Sequence, residues 1–155
     1  MTTILKRTNS DDPAFRSLIT LLDQDLHNRY GLLQLEYDEH NQIDFIDTVV
    51  IAYYNDIAVG CGCFKKFDEE SIEIKRMFVD ASQRGKGIAS AIIRDLEKWA
   101  ATLGYSSAVL ETGTLQHEAI RLYQRLGYVI TANYEPYAGM EFSICMKKKL
   151  SAYEV

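Results

Sequence analysis

Cysteine is scarce in this chain, with three among 155 residues. Cys61 and Cys63 alternate along one apolar stretch and Cys145 lies in another. An odd count, without CxxC spacing and without a neighbouring histidine, argues against a disulfide framework and against a zinc cluster; buried thiols are expected. Histidine is equally rare, and the spacing of His27, His40 and His117 suggests no metal site, so exposed roles are expected for all three. With only two prolines and no repeat, linker or low-complexity block, the chain reads as one domain over residues 1–155. No run approaches the roughly 18 apolar residues of a membrane span, and the first residues lack the apolar core and cleavage signal of a leader, so a cytoplasmic protein is expected. Positive charge is in deficit: the formal net charge is −5. That argues against a nucleic-acid binder relying on bulk charge, because neutralising phosphates needs a basic face.

What is present suits a packed core, with 47% hydrophobic and 25% charged residues. Residues 3–7 read as a strand. Asp11, Asp12 and Pro13 then supply an acidic cap and an early proline, the signature of a helix start. Phe15, Leu18, Ile19, Leu22 and Leu26 follow at helical spacing to about Arg29, and Gly31 ends the helix. Residues 30–45 show no clear period. Thr48–Tyr54 and Ile57–Phe64 are rich in β-branched and aromatic residues and flank the turn Asn55-Asp56, a hairpin. Ser71–Val79 is a further strand, with Glu73, Lys75 and Arg76 inside an apolar frame. Ile88, Ile92, Leu96, Trp99 and Leu103 share one helix face, closed by Gly104. Ser107–Glu111 reads as a strand, and Ala119, Leu122, Tyr123 and Leu126 as a second helical face ended by Gly127. Tyr128–Ala132 and Phe142–Lys147 complete the chain as a hairpin. Strands alternating with helices in the second half imply an α/β fold, a mixed sheet with helices on both faces.

Between the strand 71–79 and the helix from Ile88 lies Gln83-Arg84-Gly85-Lys86-Gly87-Ile88. A strand running through glycines into a helix presents free N–H groups at the positive end of the helix dipole, and glycine lets a ligand approach the backbone. Arg84 and Lys86 add charge, so the turn can cradle a phosphate or pyrophosphate. The alternative is a tight connection with solvated charges. A Walker loop is absent, and a dinucleotide fingerprint lacks its third glycine at Ala89–Ser90 and would follow a first strand, not a hairpin.

The neighbouring residues are more specific. Glu73-Ile74-Lys75-Arg76-Met77-Phe78-Val79-Asp80 precedes Arg84-Gly85-Lys86-Gly87-Ile88-Ala89; Leu110-Glu111-Thr112-Gly113 precedes the segment Glu118–Tyr128. In order and spacing these resemble the acetyl-CoA-binding core of the GNAT (GCN5-related N-acetyltransferase) superfamily, over residues 46 to 150. The resemblance implies a central mixed, largely antiparallel sheet with a splayed, bulged fourth strand. It implies that the backbone of Met77, Phe78 and Val79 pairs with the pantetheine arm of acetyl-CoA, a strand-addition mode of recognition. It also implies that amides from Gln83 or Arg84 through Gly85, Lys86, Gly87, Ile88 and Ala89 hold the pyrophosphate, with the hydroxyl of Ser90 added. Two positions depart from the family pattern. Ser82 stands where Gln or Arg is usual, and Gln116 stands where an Asn usually touches the cofactor arm, which puts that contact in doubt.

Acetyl transfer to an amine needs a neutral amine, a donor for the oxyanion and a proton for the departing thiolate. By the resemblance, Tyr123 faces the cofactor sulfur as the acid; on spacing alone it fills the apolar stripe with Leu122 and Leu126. The base is expected to be Glu73, nearer the bulge, with Glu111 at the end of the next strand as the alternative. Each can instead be an ion-pair partner, for instance of Lys75 or Arg76. The oxyanion donor is expected to be a backbone N–H near Met77 or Phe78. Acceptor specificity is expected from Arg29–Ile46 and Asn133–Glu141, where Tyr30, Tyr37, Tyr134 and Tyr137 mix with Glu36, Asp38, Glu39, Glu135 and Glu141. Such walls hold a cationic amine or are solvated loops. The expected activity is acetyl transfer to a small or amino-acid-like amine. Protein or peptide acetylation and non-catalytic coenzyme A binding are alternatives, and the superfamily often forms homodimers.

Overall fold

The computed structural model describes residues 3–31 and 45–150. β1 (Thr3–Thr8) leads to α1 (Pro13–Tyr30), β2 (Val49–Tyr54), β3 (Ile57–Lys66) and β4 (Ser71–Val79). A 3-10 turn (Ala81–Gln83) precedes α2 (Ile88–Thr102), β5 (Ser107–Gly113), α3 (His117–Arg125), β6 (Val129–Thr131) and β7 (Ser143–Lys149). The α1 start follows the expected cap, because the Asp12 carboxylate accepts the Ala14 N–H at 2.9 Å. The strands form a seven-stranded sheet ordered β1-β2-β3-β4-β5-β7-β6. β4 and β5 run parallel, while β1–β2, β2–β3, β5–β7 and β6–β7 are antiparallel, the mixed and largely antiparallel sheet that was expected. Two compact units divide the chain: Met1–Cys63 with Arg76–Ile93, and Phe64–Lys75 with Arg94–Val155.

In the first unit, period-two alternation sorts side chains between the sheet's faces. Val49, Ile51, Cys61 and Cys63 cluster with Phe15, Leu18 and Leu22 of α1 and with Ile46 and Phe78. Each large apolar side chain so buried contributes about 1.5–3 kcal/mol. On the opposite face, a Cβ added to Gly60 would meet Ile92 at 3.2 Å, Ile88 at 3.3 Å and the Phe78 carbonyl at 3.0 Å. The start of α2 thus covers the face opposite α1, and β3 approaches it so closely that any side chain at position 60 would force its neighbours to shift. All three cysteines are buried and none forms a disulfide.

In the second unit β5 pairs with β7 along its full length, from Ser107↔Lys149 to Gly113↔Ser143. Its pairing with β4 is shorter and ends at Ile74↔Leu110, although β4 runs on to Val79. That is the splay, and directly after it Arg76 takes a left-handed φ of 58°, the bulge. Glu97 of α2, unremarked among the helical positions, is fully buried. It accepts a hydrogen bond from the Tyr128 hydroxyl at 2.7 Å and pairs with Lys148 at 3.0 Å, so its charge is matched. Leu103, expected on the apolar face of α2, is instead 56% exposed in the last turn before Gly104. Among the described residues no helix is long and apolar enough to cross a membrane.

Candidate active site

The glycine turn is exposed from Arg84 to Gly87, and both glycines hold positive φ, 82° at Gly85 and 77° at Gly87. An added Cβ would meet nothing within 4 Å at either, so backbone conformation, not space, requires glycine there. The α2 ladder opens with the Ala91 N–H donating to the Gly87 carbonyl at 3.1 Å. The N–H groups of Ile88, Ala89 and Ser90 are therefore first-turn donors, which α-helix geometry leaves available to an anion. The two cationic side chains are engaged within the protein. Arg84 Nε donates to the Val79 carbonyl at 2.9 Å, with its guanidinium 5.9 Å from the Phe78 ring centre. Lys86 Nζ donates to Gln83 Oε1 at 2.8 Å and lies 4.7 Å over the Tyr54 ring. Of the three strand residues expected to pair with a cofactor arm, Phe78 and Val79 are buried and Met77 half-buried.

The second unit gathers the titratable candidates. β4 and β5 are in register at Glu73↔Val109, so Glu73, Lys75 and Glu111 project from one face of the sheet. Glu73 is 5% exposed. Its Oε2 accepts the Tyr134 hydroxyl at 2.9 Å and lies 3.9 Å from Lys75 Nζ, while Lys65 Nζ stands 3.9 Å from Oε1. The ion pair of Glu73 with Lys75, the alternative to a catalytic role, is present; Arg76 instead pairs with Asp23 of α1 at 2.8 Å. Lys75 Nζ donates to the Tyr137 hydroxyl at 3.4 Å and lies 5.9 Å from the centre of its ring.

Glu111 sits opposite Cys145 on β7, and Ser143 Oγ donates to its Oε2 at 2.8 Å. Burial pushes the Glu111 carboxyl up to about 7, against the opposing effects of the Ser143 hydroxyl and the Lys75 charge. Burial also raises the Tyr123 hydroxyl well above the usual phenol range, and the nearby Glu111 charge adds to that rise. Tyr123 is buried, as its place in the apolar stripe predicts, and its ring packs edge-on against Tyr128 at 5.9 Å. Gln116 caps α3 without a side-chain cap bond; its Oε1 accepts the Gly113 N–H at 3.0 Å.

The loop before β7 is tied down. Asn133 Nδ2 donates to the carbonyls of Tyr137, Met140 and Ser143 at 3.3, 3.2 and 3.0 Å. Tyr134 packs between Phe67 and Tyr137, with ring centres 4.8 and 5.8 Å away. Tyr134 and Tyr137 are thus side chains of the Glu73 cluster and not parts of a solvated loop. The other expected acceptor segment, with Glu36, Tyr37, Asp38 and Glu39, falls largely on residues 32–44, which lie outside the described residues. Ser143 was not among the sequence candidates: an isolated serine in a strand carries no signal until register sets it beside Glu111. Among the described residues, no group of three or more His, Cys, Asp or Glu residues is placed to hold a metal ion.

Residues 15–128 match the model of the acetyltransferase (GNAT) family. The chain is 32% identical over 139 residues to the IAA acetyltransferase of Azospirillum brasilense, covering 86% of this chain and 88% of that protein. It is 40% identical over 60 residues to N-acetyltransferase 8 of Homo sapiens, covering 39% of this chain and 26% of that protein, about a quarter of the relative's length. A crystal structure from Klebsiella pneumoniae subsp. pneumoniae, provisionally assigned as an acyl-CoA N-acyltransferase, superposes with a TM-score of 0.81 at 28% identity, covering 97% of this chain and 99% of that one. Solved structures of the same fold hold acetyl-CoA, with TM-scores of 0.69 and 0.70. A strand bulged and splayed before a glycine turn, followed by the matched segment through Tyr128, therefore has one explanation: the chain belongs to the acetyltransferase (GNAT) family.

Proposed function

We propose that this chain is one acetyltransferase domain that moves the acetyl group of acetyl-CoA to a primary amine of a small or amino-acid-like acceptor. Transfer is by direct attack in a ternary complex. The amides from Arg84 to Ser90 hold the pyrophosphate, and the Met77–Val79 backbone pairs with the amide-bearing arm. The acceptor nitrogen attacks the thioester carbonyl, a backbone N–H near Met77 or Phe78 steadies the oxyanion, and the C–S bond breaks. Tyr123 gives its hydroxyl proton to the departing thiolate; burial makes it a weak acid, so the proton moves as the C–S bond breaks and negative charge builds on sulfur.

The observation that carries this reading is Glu111, a buried carboxyl oriented by Ser143 and poised at about 7 beside Tyr123. A base works best when its proton affinity lies near the operating pH. Glu111 therefore takes the proton that the amine releases, directly or through water. Glu73, held by Tyr134, Lys75 and Lys65, is better suited to binding than to proton transfer. Tyr134, which donates to Glu73 and packs against Phe67 and Tyr137, supplies an aromatic wall suited to a small amine bound in its neutral form.

The test is coenzyme A thiol release from acetyl-CoA across a panel of small amines, amino acids and peptides. Saturable release with a small amine, and intersecting double-reciprocal lines, are expected. Tight acetyl-CoA binding without release for any acceptor would leave a coenzyme A-binding protein; parallel lines would replace direct attack by an acyl-enzyme.

A further inference from the structure

Among the described residues, three non-glycine residues have positive φ: Asn55, Asp56 and Arg76. The first two form the β2–β3 turn, where Asn and Asp adopt this conformation readily. Arg76 lies inside β4, where a residue with a long side chain holds φ 58° only if its surroundings impose it. Two contacts do so. Its Nη1 donates to Asp23 Oδ1 of α1 at 2.8 Å, with the arginine side chain 14% exposed. Its carbonyl accepts a weak bond from the Cys61 thiol at 3.5 Å. The next three residues are Met77, Phe78 and Val79.

We propose that the Asp23–Arg76 ion pair is a positioning device: it locks the β4 bulge and thereby presents the backbone that binds the extended, amide-bearing arm of the cofactor. This rests on the reading that Met77–Val79 pairs with that arm. Asp23 and Arg76 touch neither cofactor nor acceptor. They act on the population of the binding-competent backbone, and apparent affinity scales with that population.

Glycine separates this role from a general structural one, because it takes φ 58° without an anchor. Coenzyme A affinity is to be measured by calorimetry, with acetyl-CoA KM and kcat, on wild type, R76A, R76G, D23N and D23N/R76G, each checked for folding by thermal unfolding. R76A keeps the backbone strain and loses the anchor, so affinity is expected to fall about tenfold. R76G is expected within about threefold of wild type. D23N is expected to weaken binding roughly three- to tenfold in the Arg76 background and to add nothing in the R76G background, with kcat little changed throughout. Equal losses in R76A and R76G, or a D23N effect that is the same in both backgrounds, would overturn the proposal. Should the Arg76 variants not fold, unchanged binding by folded D23N overturns it alone. Failure of the wild type to bind coenzyme A would instead sink the cofactor reading on which the device rests.

Discussion

At the turn from Gln83 to Ser90 the groups available to a ligand are main-chain amides, half of them on exposed residues, while Arg84 and Lys86 lean on Val79, Gln83 and Tyr54. Around Glu73 and Glu111 they are side chains, buried and held by hydroxyls from Tyr134 and Ser143. A main-chain site depends on φ and ψ, so it tolerates most side-chain changes and fails where glycine is lost. A buried side-chain site depends on charge and hydrogen-bond partners, so isosteric changes and pH strike it hardest. The first region is thus fixed by backbone geometry and the second by electrostatics.

The sharpest way to break the contrast is Glu111→Gln, which keeps shape and removes the titrating group. A drop in kcat of about 10²–10⁴ is expected, the usual worth of general acid–base catalysis. In wild type kcat/KM should rise as pH passes about 7 and Glu111 loses its proton; in the variant that rise should vanish. Stability should move the opposite way. Between the ordinary carboxyl range and about 7 the folded chain retains a proton that the unfolded chain has released, so wild type loses stability as pH climbs through that window. The loss is at most about 3 kcal/mol, and the variant should lack it. Denaturant titrations at several pH values check this; equal slopes for the two proteins would remove the perturbed carboxyl.

Tyr123→Phe is the next step down. It should lower kcat about 100-fold with little change in acetyl-CoA KM, because only the thiolate's proton donor is lost. An unchanged kcat would end the acid assignment and leave Tyr123 as a packing partner of Tyr128.

The main-chain half predicts a pair of smaller and unequal effects. Gly87→Ala forces a side chain onto φ 77° and should weaken coenzyme A binding about tenfold. Lys86→Ala removes a charge already engaged by Gln83 and should cost less than about threefold. The reverse order in a direct binding measurement would show that side-chain charge, not the backbone, holds the pyrophosphate.

Much of this architecture was legible beforehand because it is written in local patterns. The hairpin around Asn55-Asp56, the helical faces of α1 and α2 and the glycine turn each depend on residues within a few positions of one another. The family resemblance added the bulge and splay, which no local pattern discloses. The partners of the polar groups were not legible. Tyr134 reaches Glu73 across 61 positions and Ser143 reaches Glu111 across 32. Glu97 sits among surface-like residues in a helix that looks amphipathic, and the distant Tyr128 and Lys148 help make its burial tolerable.

The sequence by itself determined most of the elements, the glycine turn and the kinds of titratable groups that flank it, since propensity, periodicity and glycine conformations act over a few residues. The tertiary structure alone decided which carboxylate is neutralised by cations and which is left to burial, and that Arg76 is held by α1 instead of by Glu73. The reason is that a titrating group takes its character from neighbours that strand register and helix packing supply, and these come from distant parts of the chain.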